Sequence, residues 1–337
     1  MRILIVSDAA PPQVNGVVRT LTELITRLTK LGHMVRLIGP AEFRTVPMPT
    51  YPEIPLAVLP GRKLGAMIEE FKPEAVHIAT EGPLGLAARR YCIAHSYPFT
   101  TAYHTRFPQY LKPRFGVPEA WTYAALRRFH AKSQRVMVST ESVERELKQH
   151  GFGNIVRLGR GVDTERFQPR AKDFLPFPRP IFVHVGRVAL EKNLEDFLSL
   201  DLPGTKLVVG EGPARRQLEA RFPEAKFVGF KENGELARYY SASDVFVLPS
   251  KTETFGLVLL EALASGLPVA AYPVSGPIDV IGSSGTGVLH ENLRQAALNA
   301  LAIDPALCRA RALQFSWDES VAQFLDNIQA IDKAKAA

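Results

Sequence analysis

Short runs of aliphatic and β-branched residues punctuate the chain, each followed by a polar or mixed stretch long enough for a helix. Ile3–Val6, Met34–Ile38, Ala57–Leu59, Ala75–Ile78, Phe99–Tyr103 and Val136–Ser139 form a first series bounded by turn residues. Such alternation predicts an α/β fold, a parallel sheet covered by helices on both faces. The series restarts with Ile181–Val185, Lys206–Val209, Lys226–Val228, Val245–Leu248 and Val269–Ala271. A second Rossmann-like unit is therefore expected. Between the two lies a segment from Gln168 to Pro180 with prolines at 169, 176, 178 and 180, which suits neither strand nor helix interior.

This pattern divides the chain into a domain over 1–167, a linker over 168–180, a second domain over 181–310 and a C-terminal segment over 311–337. Its 337 residues exceed what one core commonly serves. In the last segment Trp317, Val321, Phe324, Leu325 and Ile328 share a helical spacing, so a helix with one buried face is expected from Ser316 to Ile331. The alanine-rich end beyond it is expected to fray.

The opening run ends at Ser7-Asp8, too short for a signal peptide or a membrane span. Phe255 to Ala271 is the most apolar later stretch, and Glu261 and Pro268 interrupt it. The expected location is cytoplasmic, resting peripherally on the cytoplasmic face of a membrane. Cys92 and Cys308 match no disulfide framework or metal-ligand spacing and read as small packing residues in a reducing compartment.

Net charge is +7, unevenly spread: residues 1–168 carry 23 Lys+Arg against 14 Asp+Glu, and the remainder 18 against 20. From His104 to Arg135, seven cations, among them Arg106, Arg114, Arg127, Arg128 and Lys132, face one acid, Glu119. Phe107, Tyr110, Leu111, Phe115, Trp121, Tyr123, Leu126 and Phe129 are interleaved with them. That mixture suits an interfacial helix on an anionic membrane, and an ordinary solvated basic face has the same composition.

The segment Ser243 to Gly266 reads strand, turn, helix, glycine cap, and it holds the densest candidate chemistry. Backbone N–H groups of Thr254, Phe255, Gly256 and Leu257 are expected to point past the carboxyl edge of the sheet, where helix starts favour anions. Glu253 lies in the turn, and Glu261 on the helix could grip vicinal ribose hydroxyls. Gly186 to Asn193 follows the first strand of the second series and brings Arg187 and Lys192. In the first domain, the loop Asp8 to Arg19 contains Gly16, Tyr103-His104-Thr105-Arg106-Phe107 follows the fifth strand, and Glu81 ends the strand before it.

Glu253 and Glu261, with seven residues between them, resemble the donor-binding glutamate pair of family 4 retaining glycosyltransferases. The resemblance covers nearly the whole chain and implies the GT-B fold, two Rossmann-like domains facing a central cleft, with the last helix packing back toward the first domain. It implies that Arg187 and Lys192 neutralise the donor diphosphate, that Gly16 admits a phosphate close to the backbone, and that His104 meets the transferred sugar. Gly210 to Pro213 and Phe227 to Lys231 are similar to loops that flank the nucleotide. Glu81 is expected to shape the acceptor pocket. No Asp-x-Asp occurs, the nearest pattern being Asp163-Thr164-Glu165, so no metal and no cofactor are expected.

Pro11 to Val17, Tyr103 to Phe107 and Val274 to Asp279 are most similar to bacterial enzymes that glycosylate diacylglycerol and related lipids, mannosyltransferases among them. After Gly285 to Leu289 the chain is shorter than its longer relatives. The expected partners are a nucleotide-sugar donor, with a UDP-sugar favoured over GDP-mannose, a lipid acceptor and an anionic membrane surface. No nucleic-acid partner is expected. Two other readings stand beside this one: a sugar-nucleotide 2-epimerase of the same fold, and a non-enzymatic module that binds anionic surfaces. The second leaves the diphosphate constellation unexplained.

Overall fold

A computed structural model describes residues 1–49 and 51–335. The chain forms two compact units, Met1–Arg160 with Trp317–Ala337, and Gly161–Ser316. In the first, β1 (Arg2–Val6), β2 (Met34–Ile38), β3 (Thr45–Met48), β4 (Tyr51–Ala57), β5 (Ala75–Ile78), β6 (Thr100–Ala102), β7 (Val136–Val138) and β8 (Ile155–Arg157) follow in chain order. Six of them make one parallel sheet in the order β2-β1-β5-β6-β7-β8.

The first unit departs from expectation at β8, which the pattern did not mark, and at a hairpin. Ala57–Leu59 was expected as a member of the parallel series, and instead Ala57 ends β4, which pairs antiparallel with β3 in a separate hairpin. Pro47 and Pro55 lie directly opposite each other in that pair. Prolines cannot donate to a ladder, so such strands are excluded from a sheet interior.

Alternation along β1 sorts side chains to two cores. Leu4 and Val6 pack with Leu64, Ile68, Leu84 and Ala88 on one face. Ile3 and Ile5 face the other way, against Leu21, Leu24 and Leu28 of the helix Gly16–Lys30. The terminal helix Trp317–Lys335 inserts Val321, Phe324 and Ile328 into this second core. Phe324 is fully buried, and truncating such a side chain to alanine costs about 3–5 kcal/mol. Ala336 and Ala337, part of the expected frayed end, lie outside the described residues.

The second unit contains β9 (Ile181–Val185), β10 (Thr205–Val209), β11 (Lys226–Phe227), β12 (Val245–Leu248), β13 (Val269–Ala271) and β14 (Gly287–Leu289). All are parallel, in the order β11-β10-β9-β12-β13-β14. Ile181, Val183 and Val185 pack on one face with Tyr240, Leu260 and Leu263, while Phe182 joins Leu194, Phe197 and Leu198 on the other. Residues 168–180 form no strand or helix and belong to this unit. Asp244 ties their end down, accepting from Ile181 N–H at 2.8 Å, Lys172 Nζ at 2.9 Å and the Arg179 guanidinium.

Both sheets reverse their strand order once, between β1 and β5 in the first and between β9 and β12 in the second. In open parallel sheets the loops leaving the carboxyl ends of such neighbouring strands diverge to opposite faces and leave a crevice for ligand. Those loops carry most of the candidate chemistry.

Candidate active site

In the first unit the loops after β1 and β5 are joined by Asp8. Its carboxylate accepts from Leu84 N–H at 2.9 Å, Gly85 N–H at 3.3 Å and Thr80 Oγ1 at 2.8 Å. Burial raises the Asp8 pKa, and those hydrogen bonds oppose the rise. Gly16 begins the helix Gly16–Lys30 behind the cap Asn15, whose Oδ1 accepts from Val17 and Val18 N–H at 3.0 Å each. A Cβ added at Gly16 would meet nothing within 4 Å, so the fold itself sets no steric demand for glycine there.

His104 follows β6, and its Nδ1 lies 3.1 Å from the Arg160 guanidinium. Its pKa falls well below the ordinary value, first through burial and then through the charge of Arg160. Glu81 does not stand open to an acceptor. Its side chain is 8 % exposed and pairs at 3.3 Å with buried His130, whose Nδ1 meets Thr101 Oγ1 at 2.8 Å. The expected acceptor role therefore has a structural competitor, a buried pair linking the loop after β5 to the helix Glu119–His130.

The basic segment divides. Arg106 is paired with Glu146, both side chains largely covered, and Glu146 also accepts from Gln109 and Tyr123. The expected membrane role of Arg106 thus has a structural competitor, an ion pair with an internal carboxylate. Tyr123, Leu126 and Phe129 are buried, and Tyr123 stacks on His150 with ring centroids 3.5 Å apart. Trp121, Arg127, Arg128 and Lys132 are exposed, as is Phe115. The side chains of Tyr110 and Arg114 lie outside the described residues.

In the second unit, the loop after β9 passes through Arg187, half-buried, to Lys192 in a short 3-10 turn. The loops after β9, β10 and β11 are laced together: Val188 N–H donates to Glu211 O at 2.8 Å, and Gly210 N–H to Gly229 O at 2.9 Å. Gly210 has φ +147°, and a side chain there would overlap the Gly186 carbonyl. Across the switch point, Lys192 Nζ reaches Glu253 Oε2 at 2.8 Å. Glu253 Oε1 accepts from Thr254 N–H at 3.3 Å, so that donor, expected to await a ligand, is engaged locally.

Gly256 caps the helix Leu257–Ala264 at φ +81°, a left-handed conformation that a Cβ would strain. Phe255 is buried in the core. Glu261, one turn beyond Leu257, is only 2 % exposed and accepts from Tyr240 Oη at 3.0 Å. Tyr240 comes from the preceding helix, Asn233–Ala242. Asp196 supplies a third carboxylate, 3.0 Å from Lys251 Nζ and accepting from Tyr272 Oη at 2.7 Å. Arg160, His130, Tyr240 and Asp196 carry no motif in the sequence; only folding brings them to their partners.

Glycosyltransferase Family 4 matches residues 14–166, and Glycosyl transferases group 1 matches residues 166–307. A GDP-mannose-dependent alpha-mannosyltransferase of Mycobacterium tuberculosis is 32% identical over 86% of this chain and 83% of its own length. The chain belongs to glycosyltransferase family 4. Another relative of the family, the alpha-monoglucosyldiacylglycerol synthase of Acholeplasma laidlawii, is 28% identical over 80% of this chain and 79% of its own. The same fold occurs in sucrose-phosphate synthase from Thermosynechococcus elongatus, with a TM-score of 0.79, 21% identity and 99% of both chains covered. This protein is a GT-B glycosyltransferase acting on sugar nucleotides.

Proposed function

We propose that this enzyme moves a sugar from a nucleotide-sugar donor to a membrane lipid such as diacylglycerol, retaining the anomeric configuration. The observation that carries the donor side is the Lys192–Glu253 contact at 2.8 Å, which brings two separate loops together at the switch point of the second sheet. Arg187 and Lys192 serve the diphosphate, where cationic donors are most effective because negative charge builds on the leaving group. Glu253 serves the sugar, and Glu261 the ribose. Backbone N–H groups of Phe255 to Leu257 complete the phosphate cradle from the helix start.

In the first unit Gly16 lets the phosphates approach the backbone, and His104 meets the sugar. The C1–O bond to the β-phosphate breaks, the acceptor oxygen bonds to C1 from the same face, and the departing phosphate oxygen takes the acceptor's proton. The lipid side rests on the motifs of the first domain and on the acceptor in the name of the Acholeplasma relative. Among the described residues no helix is long and apolar enough to cross a membrane. Membrane attachment is assigned to the exposed Trp121, Arg127, Arg128 and Lys132 on one helix and the turn after it.

The donor base is proposed as uridine, with GDP-mannose the direct competitor because the mycobacterial relative uses it by name. The test is nucleotide release from a panel of UDP- and GDP-sugars, with and without vesicles containing diacylglycerol. Lipid-dependent release supports transfer and identifies the base. Isomerised sugar nucleotide without release would replace this reading with the epimerase.

A further inference from the structure

Arg160 ends the first unit and is buried, 7 % exposed. Its Nη1 donates to Leu158 O at 2.7 Å and Gly159 O at 2.9 Å, and its Nη2 faces His104 Nδ1 at 3.1 Å. Among the described residues no carboxylate lies within ion-pair distance of it. A buried cation without a counter-ion costs several kcal/mol, so an apolar side chain would serve folding as well or better. The Arg160 Nη1 protons go to two neighbouring carbonyls of its own chain segment, and its Nη2 contact reaches a different element, at His104.

A guanidinium has only donors and stays charged in proteins. In its bond to Arg160, Nδ1 of His104 must therefore present its lone pair, and the proton of the neutral ring resides on Nε2. We infer that Arg160 is a positioning residue that holds His104 in the Nε2–H form, so that this histidine gives a hydrogen bond to the transferred sugar and takes no proton from the acceptor. The inference rests on the proposed placing of His104 at the sugar.

The surrounding charges point the same way. Besides Arg160, His77 on β5 and His130 on the helix Glu119–His130 act on His104, and all three disfavour the imidazolium, as burial does. Burial pushes Arg160 itself down to about 10, still cationic at neutral pH. A neutral imidazole with a fixed tautomer is an oriented donor whose state does not change over the physiological range.

Long-range 1H–15N spectra of the imidazoles in 15N-histidine-labelled protein test this directly, with His104 assigned by a His104→Gln variant. The wild type should show the Nε2–H tautomer for His104, unchanged between pH 5.5 and 8. Arg160→Met should give mixed tautomers and a titration nearer the ordinary histidine range, and Arg160→Lys should restore part of the wild-type spectrum. Turnover in Arg160→Met should fall on the order of tenfold, the loss of one oriented hydrogen bond, with UDP and GDP affinity unchanged. A wild-type His104 that titrates near pH 6.5, or an unaltered His104 in Arg160→Met, overturns the inference. Wild-type turnover in His104→Gln and His104→Ala would instead remove His104 from the sugar. Damage in His104→Ala without damage in Arg160→Met would sink the positioning role alone.

Discussion

Replacing Glu253 with glutamine removes one charge from the loop after β12 and keeps the side chain's size. Glu253 Oε2 stands 2.8 Å from Lys192 Nζ, with the two side chains 12 % and 23 % exposed. Unit charges about 4 Å apart attract by about 4 kcal/mol at an effective dielectric of ~20. Partial exposure and the desolvation of both groups reduce the net coupling to roughly 1–2 kcal/mol. On the proposed donor placing, Lys192 would serve two anions when a diphosphate arrives, and Glu253 would compete with the nucleotide for it. Glu253→Gln should leave UDP or GDP binding unchanged or tighten it by up to about tenfold, equivalent to about 1.4 kcal/mol. Turnover should fall by at least ~10²-fold, because the proposed contact to the sugar loses its charge. Titration calorimetry with UDP and GDP, set beside steady-state kinetics, separates the two effects. A parallel loss of nucleotide affinity and turnover in a folded variant would refute the division of roles between Lys192 and Glu253.

Glu261→Gln should weaken UDP or GDP binding by about 10- to 100-fold, the loss of a charged hydrogen bond to ribose, while the melting temperature holds because the glutamine amide oxygen can still accept from Tyr240 Oη; unchanged affinity would exclude the ribose role. Arg187→Ala should lower turnover by about 10²-fold, and EDTA should leave wild-type turnover as it is; activity abolished by EDTA and restored by Mg²⁺ would contradict a leaving group stabilised mainly by side chains. Burial pulls His77 down to about 3 and His184 to about 4, so both are neutral when folded, and the unfolded chain binds the extra protons as pH falls below about 6.5. Stability is thus full above that pH and should drop on acidification toward pH 4, by about 1.4 kcal/mol per pH unit for each histidine; melts of His77→Gln and His184→Gln should show a shallower decline, and an identical decline would refute the assignment. Changing Arg127, Arg128 and Lys132 together to glutamate should release the protein from anionic vesicles in sedimentation, since each basic residue near such a surface contributes about 1 kcal/mol; equal binding by variant and wild type would clear this face of the membrane role.

The inner strands of both sheets were legible because buried parallel strands demand continuous β-branched runs, as in Ile181–Val185 and Val245–Leu248. The hairpin of β3 and β4 was not, since prolines interrupt its alternation and turn it into an isolated edge pair. β8 and β14 escaped notice as well, three residues each at the margin of their sheets. At the candidate site, motif spacing pointed to Glu253, Glu261, Arg187 and Lys192 because each lies at a strand end or on the helix that follows. Their fold-dependent partners were illegible. Tyr240 reaches Glu261, His130 holds Glu81, and Arg160 meets His104 across separations of 21, 49 and 56 residues, distances over which no periodicity in one sequence reports contact. Arg106 shows the same limit from the other side: composition placed it with the surface cations, and Glu146, forty residues away, withdraws it.

The central claim is sugar transfer from a nucleotide donor to a lipid with its configuration kept. Its most direct measurement uses UDP- and GDP-hexoses labelled with 13C in the sugar, incubated with the enzyme and diacylglycerol vesicles, with the lipid extract read by mass spectrometry and NMR. The account predicts labelled hexosyl-diacylglycerol whose anomeric carbon has the donor's configuration, formed only in the presence of enzyme and vesicles. Label remaining entirely in water-soluble sugar, or a lipid product of the opposite configuration, would contradict it.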